Sequence, residues 1–210
     1  MDANVKKTKL SKLVEMRAGH PIRGRIEETK GAGTFVVSLK NALPFAEINW
    51  SSLSEVKLEG RGEPYWLREG DFLFPTRGSS TYSLYVDGGI GTKKVVASPN
   101  FIVMRPLEKK RTPFLPAFVA WWMNQSVAQK MLGSLSQGTT LLRAINKAGL
   151  ENLDIYLPSL EKQKKIMHAL KLQKEEAQLL EQQRENTVAF MQGLAEQLLA
   201  SGKGMNKNAN

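Results

Sequence analysis

Leu157-Pro158-Ser159-Leu160-Glu161-Lys162-Gln163-Lys164-Lys165-Ile166 is the stretch at which the chain changes character. Before it, short β-branched and aromatic runs are broken by glycine and proline. After it, proline does not recur, and Gly193 is the only glycine before Gly202. Steps of four and three from Ile166 land on Leu170, Gln173, Ala177, Leu180, Arg184, Thr187, Met191, Leu194 and Leu198, and seven of these ten positions are apolar. That is a heptad seam. About 40 helical residues at ~1.5 Å each make a rod of roughly 60 Å. Such a rod is too long to bury its whole stripe on the domain that precedes it, so the stripe needs a partner helix. A long amphipathic surface helix is the alternative reading, and the length of the repeat favours a coiled coil. Gln173, Arg184 and Thr187 interrupt the seam; polar seam positions cost stability and fix register and partner.

Upstream of the junction, residues 1–7 read as disordered. Lys9–Gly19 reads as a short helix with Leu10, Leu13, Val14 and Met16 on one face and Gly19 at its end. Strands are expected at Thr34–Leu39, Phe72–Phe74, Leu84–Val86, Val95–Ala97, Phe101–Arg105 and Leu153–Leu157. Gly88-Gly89-Ile90-Gly91 reads as a loop between two of them. Pro116–Leu132 reads as one helix, with Phe118, Val119, Trp122, Met123 and Val127 at helical spacing. A polar loop at 134–140 and a short helix at Leu141–Ala148 follow. The mixed order implies an α+β domain with a mixed or antiparallel sheet, then a long coiled-coil-type helix. The expected division is residues 1–158, 159–200 and a disordered tail 201–210.

The 210 residues are 41% hydrophobic and 24% charged, enough apolar content for a real core. There is no cysteine, which excludes disulfides and thiolate metal sites. The basic N-terminus lacks an apolar core of the signal-peptide kind, and no stretch approaches the ~20 apolar residues that span a bilayer. A cytoplasmic protein with no membrane association is expected. The net charge is +10. Its excess precedes Ser159, where 22 of the 30 basic residues and 14 of the 20 acidic residues lie; residues 159–200 carry six of each. A basic globular part suggests a polyanion partner, with solubility by charge as the plainer alternative.

Signs of chemistry are lacking. No methyltransferase cofactor loop or Asn/Asp-Pro-Pro-aromatic motif occurs. Gly88–Lys94 misses the phosphate-loop spacing and lies between strands. Asp71 and Asp87 read as turn residues without a partner carboxylate. His20 and His168 stand in no nucleophile–base pattern. No metal and no cofactor are expected, and a hydrolase assembled from distant loops is the least favoured reading.

Four polar loops remain. They offer Arg23 and Arg25; Arg77, Ser79, Ser80 and Tyr82; Lys93 and Lys94; and Gln137, Thr139, Thr140 and Arg143. Arginine forks suit guanine edges or phosphates, and hydroxyls and amides suit phosphates or bases. Each loop alone is a weak signal. Their recurrence in one basic domain makes double-stranded DNA the expected ligand. Phe118, Trp121 and Trp122 read as core.

Gln137-Gly138-Thr139-Thr140-Leu141-Leu142-Arg143-Ala144-Ile145, followed by Leu150–Ile166, resembles the specificity subunit of type I restriction-modification systems. There a recognition domain ends in a Gly-[Ser/Thr]-Thr loop, and a strand ending in Pro-x-Leu leads into a conserved helix. Gln163 fits that pattern; Lys162 stands where the family more often has Glu. Leu67–Gly78, Val96-Ala97-Ser98, Phe101–Pro106 and Leu10–Glu15 are similar to further family segments. The resemblance covers about residues 9–200. It implies a non-catalytic subunit that reads DNA and positions adenine methyltransferase subunits, and with them an ATP-dependent restriction subunit. A full-length subunit has two recognition domains and two helices, whereas this chain has one of each and resembles a half-length form. The family pairs two such helices antiparallel, so the resemblance implies a homodimer reading a bipartite site. An S-like protein that binds a methyltransferase without reading DNA is the alternative.

Overall fold

The computed structural model describes residues 5–22, 24, 26–43, 47–58, 63–76, 82–107, 113–135 and 145–205. The chain divides into two compact units, Met1–Lys164 and Lys165–Asn210.

The first unit is α+β. Its centre is an antiparallel sheet of β2 (Val14–Ala18), β10 (Phe101–Pro106), β7 (Phe72–Pro75) and β8 (Leu84–Tyr85), in that spatial order. All four residues of β7 are buried. Its uninterrupted apolar run suits an inner strand covered on both faces. A second sheet holds β6 (Ser54–Glu55), β3 (Thr34–Val37) and β9 (Lys94–Ala97), with β3 antiparallel to β6 and parallel to β9. Successive residues of β3 and β9 point to opposite faces, as strand geometry requires. Val37, Val95 and Ala97 join Leu73 and Val103 of the central sheet in the main core. Val36 and Val96 pack on the other side with Val56, Ile22, Ile26 and Trp66. A small ribbon pairs β4 (Ala42–Leu43) with β5 (Glu47–Ile48). A further ribbon pairs β1 (Lys6–Lys9) with β11 (Asp154–Leu157).

Three helices belong wholly to this unit: α1 (Pro116–Met123), α2 (Ser126–Leu135) and α3 (Lys147–Glu151). Among the residues read as core, Phe118 and Trp122 are buried, and Trp121 is half-buried. The long helix α4 (Leu160–Met205) opens at the junction. Ser159 caps it, its Oγ accepting from Lys162 N at 3.3 Å. Gln163 is fully buried. Its Oε1 accepts from Leu115 N at 2.9 Å and its Nε2 donates to Pro158 O at 2.8 Å. One amide thus satisfies a backbone donor at the start of α1 and the carbonyl that precedes α4.

Several expectations are corrected. Lys9–Gly19 is not a helix: Leu10–Lys12 form one 3-10 turn and Val14–Ala18 form β2. Val14 and Met16 are buried while Glu15 and Arg17 are exposed, an alternation of period two that the sheet exploits. Gly19 ends β2 rather than a helix. Its N donates to Phe101 O at 2.8 Å, and a Cβ there would lie 2.0 Å from Ser98 O. Lys6 and Lys7 are in β1, not disordered. The single helix at Pro116–Leu132 is broken at Asn124-Gln125, and Val127 is 61% exposed. The short helix expected at Leu141–Ala148 is found at Lys147–Glu151, capped by Asn146; residues 141–144 lie outside the described residues. The long helix continues past Ala200 to Met205. Gly88–Ile90 form a 3-10 turn, whose Gly89 N donates to the Asp87 carboxylate.

Asp71 is more than a turn residue. It is fully buried and accepts from Arg105 Nε at 2.8 Å and Nη2 at 2.6 Å. Arg68 N donates to the same carboxylate at 3.0 Å. The Tyr65 ring lies 4.0 Å below the Arg105 guanidinium. Burial works against the Arg105 charge, but the hydrogen bonds and charge of Asp71 outweigh it and hold its pKa above the ordinary value.

Candidate nucleic-acid interface

An antiparallel sheet has two ends, and the strand directions decide which loops share one. The register sets Ala18 beside Ile102, Phe101 beside Pro75, and Leu73 beside Leu84. The end of β2, the start of β10, the end of β7 and the start of β8 therefore meet at one end of the central sheet. His20 N donates to Ala97 O at 2.7 Å. Thr76 donates to Asn100 O from both N, at 2.8 Å, and Oγ1, at 3.1 Å. The feet of the first two polar loops thus both flank the Ser98–Asn100 turn. Ile22 and Ile26, on either side of Arg23 and Arg25, pack on the Val36–Val96 face of the second sheet.

Asn124 closes this end from the helical side. Its Oδ1 accepts from Ser83 N at 2.7 Å, and its Nδ2 donates to Ser83 O at 2.9 Å. An amide side chain imitates a neighbouring strand and fixes the backbone just beyond the second loop. Asn124 ends α1 because its side chain serves Ser83. Tyr82, next in line, packs against the main core, and burial pushes its phenol pKa up. It remains a hydrogen-bond donor at neutral pH.

The other two loops start elsewhere. Lys93 and Lys94 are exposed at the opposite end of β9 from Ser98, roughly 13 Å away at about 3.3 Å per residue. Lys93 Nζ donates to Trp50 O at 3.3 Å, and Lys94 stands opposite Thr34. Leu135 and Ile145, which bracket the fourth loop, both lie against Gly149 of α3. That helix packs beside the Leu10–Lys12 turn. Leu13 O, next to that turn, accepts from Leu107 N beyond the end of β10, so the fourth loop's anchors lie at the far end of the central sheet. Arg23, Arg25, Arg77, Ser79, Ser80, Gln137, Thr139, Thr140 and Arg143 lie outside the described residues. Sequence reasoning missed Asn124 and Asn100 as loop anchors. The apolar pattern runs on at helical spacing to Val127 and gave no signal of the first.

Among the described residues, no group of three or more His, Asp or Glu side chains is placed to hold a metal ion, and no helix is long and apolar enough to cross a membrane. On α4 the seam positions Leu180, Met191 and Leu198 are 59%, 60% and 74% exposed.

Three solved structures share this fold. The S subunit of a type I restriction-modification system from M. genitalium aligns with a TM-score of 0.56 at 16% identity, over 83% of this chain and 40% of that one. The HsdS subunit from Thermoanaerobacter tengcongensis aligns with a TM-score of 0.59 at 19% identity, over 86% and 44%. A chain from a study of complex assembly and conformational transition of the type I R-M system aligns with a TM-score of 0.61 at 16% identity, over 92% and 44%. This chain spans less than half of each solved chain. A search of curated proteins finds no match. Residues 4–189 match the family model described as the type I restriction modification DNA specificity domain, and the chain belongs to that family.

Proposed function

We propose that the globular part, residues 1–158, reads double-stranded DNA with the loops gathered at one end of its central sheet. The helix from residue 159 pairs with the helix of a second copy. The dimer presents two recognition domains to a bipartite site and seats adenine methyltransferase subunits, with an ATP-dependent restriction subunit joining the assembly. Methyl transfer and cleavage belong to those partners, and this chain supplies the address in the cytoplasm. The observation that carries this reading is convergence: the feet of the Arg23–Arg25 and Arg77–Tyr82 loops flank one turn, Ser98–Asn100, in the basic part of a chain from a DNA specificity family. The exposed seam of α4 supports the pairing.

DNA mobility shift across a salt series tests the reading. Affinity should fall steeply with salt, as when several phosphates are neutralised. Arg77→Ala should weaken binding by an amount on the order of 1–3 kcal/mol if the fork reads a base. Arg143→Ala should cost less, because its loop is anchored at the far end of the sheet. Unchanged DNA binding with lost methyltransferase association would instead assign these loops to protein docking, as in an S-like protein that reads no DNA.

A further inference from the structure

We propose that Arg17 is a phosphate anchor: its guanidinium, stacked on the Tyr65 ring at the rim of the central sheet, takes a backbone phosphate of the DNA that the neighbouring loops read. The inference rests on the DNA-reading proposal above and adds a contact from a strand, outside the four polar loops. β2 is an edge strand, and Arg17 is its penultimate residue. Gly19, two residues on, bonds Phe101 O at the end of the sheet where the first two loops begin, so Arg17 stands roughly 7 Å from that end at about 3.3 Å per residue. Among the described residues of the four strand ends and the Ser98–Asn100 turn that meet there, Arg17 is the only lysine or arginine. Its side chain is 55% exposed.

The side chain is held in a way that leaves its donors open. Arg17 stands opposite Val103 in the register and Glu15 opposite Arg105, so Arg17 and Arg105 share one face of the sheet. Both guanidinium groups contact the Tyr65 ring, Arg105 Cζ at 4.0 Å from its centre and Arg17 Cζ at 4.5 Å. Arginine favours such stacking because the ring face is electron-rich. The Tyr65 hydroxyl is buried and has no hydrogen-bond partner among the described residues, so the residue acts here through its ring. Two cations on one ring each need a carboxylate, and the two carboxylates differ. Asp71 is fully buried and fixed to Arg105 through Nε and Nη2. Glu15 is 44% exposed and accepts from Arg17 Nε. Among the described residues neither Nη nitrogen of Arg17 has a partner.

That difference sets the ligand. The Asp71–Arg105 pair is sealed, and its guanidinium serves to seat the ring. The Glu15–Arg17 pair is open to solvent, where an ion pair is weak and exchangeable. The two Nη groups of Arg17 form the fork that matches two oxygens of a phosphate. A side chain pinned to the rim of a sheet cannot follow a groove down to the base edges. It suits the phosphates, which stand outermost on a duplex and position a protein without reporting sequence. Glu15 lies against the same guanidinium and opposes an incoming anion, so it tempers the contact.

Fluorescence anisotropy of the full chain on duplexes of about 30 base pairs and several unrelated sequences tests the anchor, with salt varied from about 50 to about 200 mM. Arg17→Ala should weaken binding roughly three- to tenfold on every duplex and reduce the slope of log K against log salt by about 0.9, the share of one phosphate. Arg17 is exposed, so this variant should melt with the wild type, which separates a lost contact from a lost fold. Tyr65→Leu should also weaken binding, and Tyr65→Phe, which keeps the ring, should bind more tightly than Tyr65→Leu. Glu15→Gln should tighten binding in the wild-type chain and by less in the Arg17→Ala chain, because the carboxylate acts through the guanidinium it holds. An Arg17→Ala chain that keeps the wild-type slope, or that loses affinity on one sequence only as a base reader would, overturns the anchor and leaves the reading of DNA by the loops standing. A wild-type chain that binds no duplex overturns both.

Discussion

Asp71 and Arg105 form an ion pair with side-chain exposures of 0% and 15%. Burying two charges is costly, and this pair is made tolerable by further hydrogen bonds: Arg68 N on the carboxylate, and Trp66 O accepting from Arg105 Nη2 at 2.6 Å. Removing one partner leaves a dry charge. Asp71→Ala should therefore destabilise the domain by about 3–5 kcal/mol in urea unfolding, and replacing both residues by apolar ones of similar volume should recover most of it. A loss no larger than that of an exposed ion pair would refute the burial argument. Sequence alone did not disclose this pair. The two residues stand 34 positions apart, and Glu69-Gly70-Asp71 has the composition of an ordinary turn. Gln163 was legible as a residue of the junction pattern, but its task was not. Gln163→Ala should strip the Leu115 amide and the Pro158 carbonyl of their partners, at a cost of about 1–3 kcal/mol. Hydrogen exchange at the Leu115 amide should accelerate well beyond that of its neighbours. Unchanged protection there would place the link between α1 and the junction elsewhere.

Elements were legible where one period dominated. Phe72–Phe74 and Phe101–Arg105 read as strands because their apolar runs are too short for a helix and are rich in aromatic and β-branched residues. The α4 pattern read as helix because it repeats without proline over more than four heptads. The stretch Lys9–Gly19 misled because Leu10, Leu13, Val14 and Met16 satisfy both periods. The strand prevailed because β10 offers Val14–Ala18 a partner along its whole length, a long-range fact. The α1–α2 break was hidden for a similar reason: Asn124 leaves the helix to serve Ser83, 41 positions earlier. The loops rich in arginine and hydroxyl residues were legible as loops. Their grouping was not, since strand order alone brings the first two to one end of the sheet and anchors the other two away from it.

At the scale of the whole molecule, the chain joins a basic, loop-bearing domain to a helix that is nearly neutral and exposes an apolar seam. The seam was legible from sequence; what covers it was not, because a heptad repeat specifies a partner's period before its identity. Two identical domains on a twofold scaffold must read two identical, oppositely oriented half-sites at a fixed separation. The most direct test is to map methylated adenines across the genome of a host that expresses this chain with its cognate methyltransferase. A twofold dimer should leave one bipartite palindrome: two inverted copies of a short sequence separated by a spacer of constant length and arbitrary composition. Methylation at a single unspaced, non-palindromic sequence would contradict it.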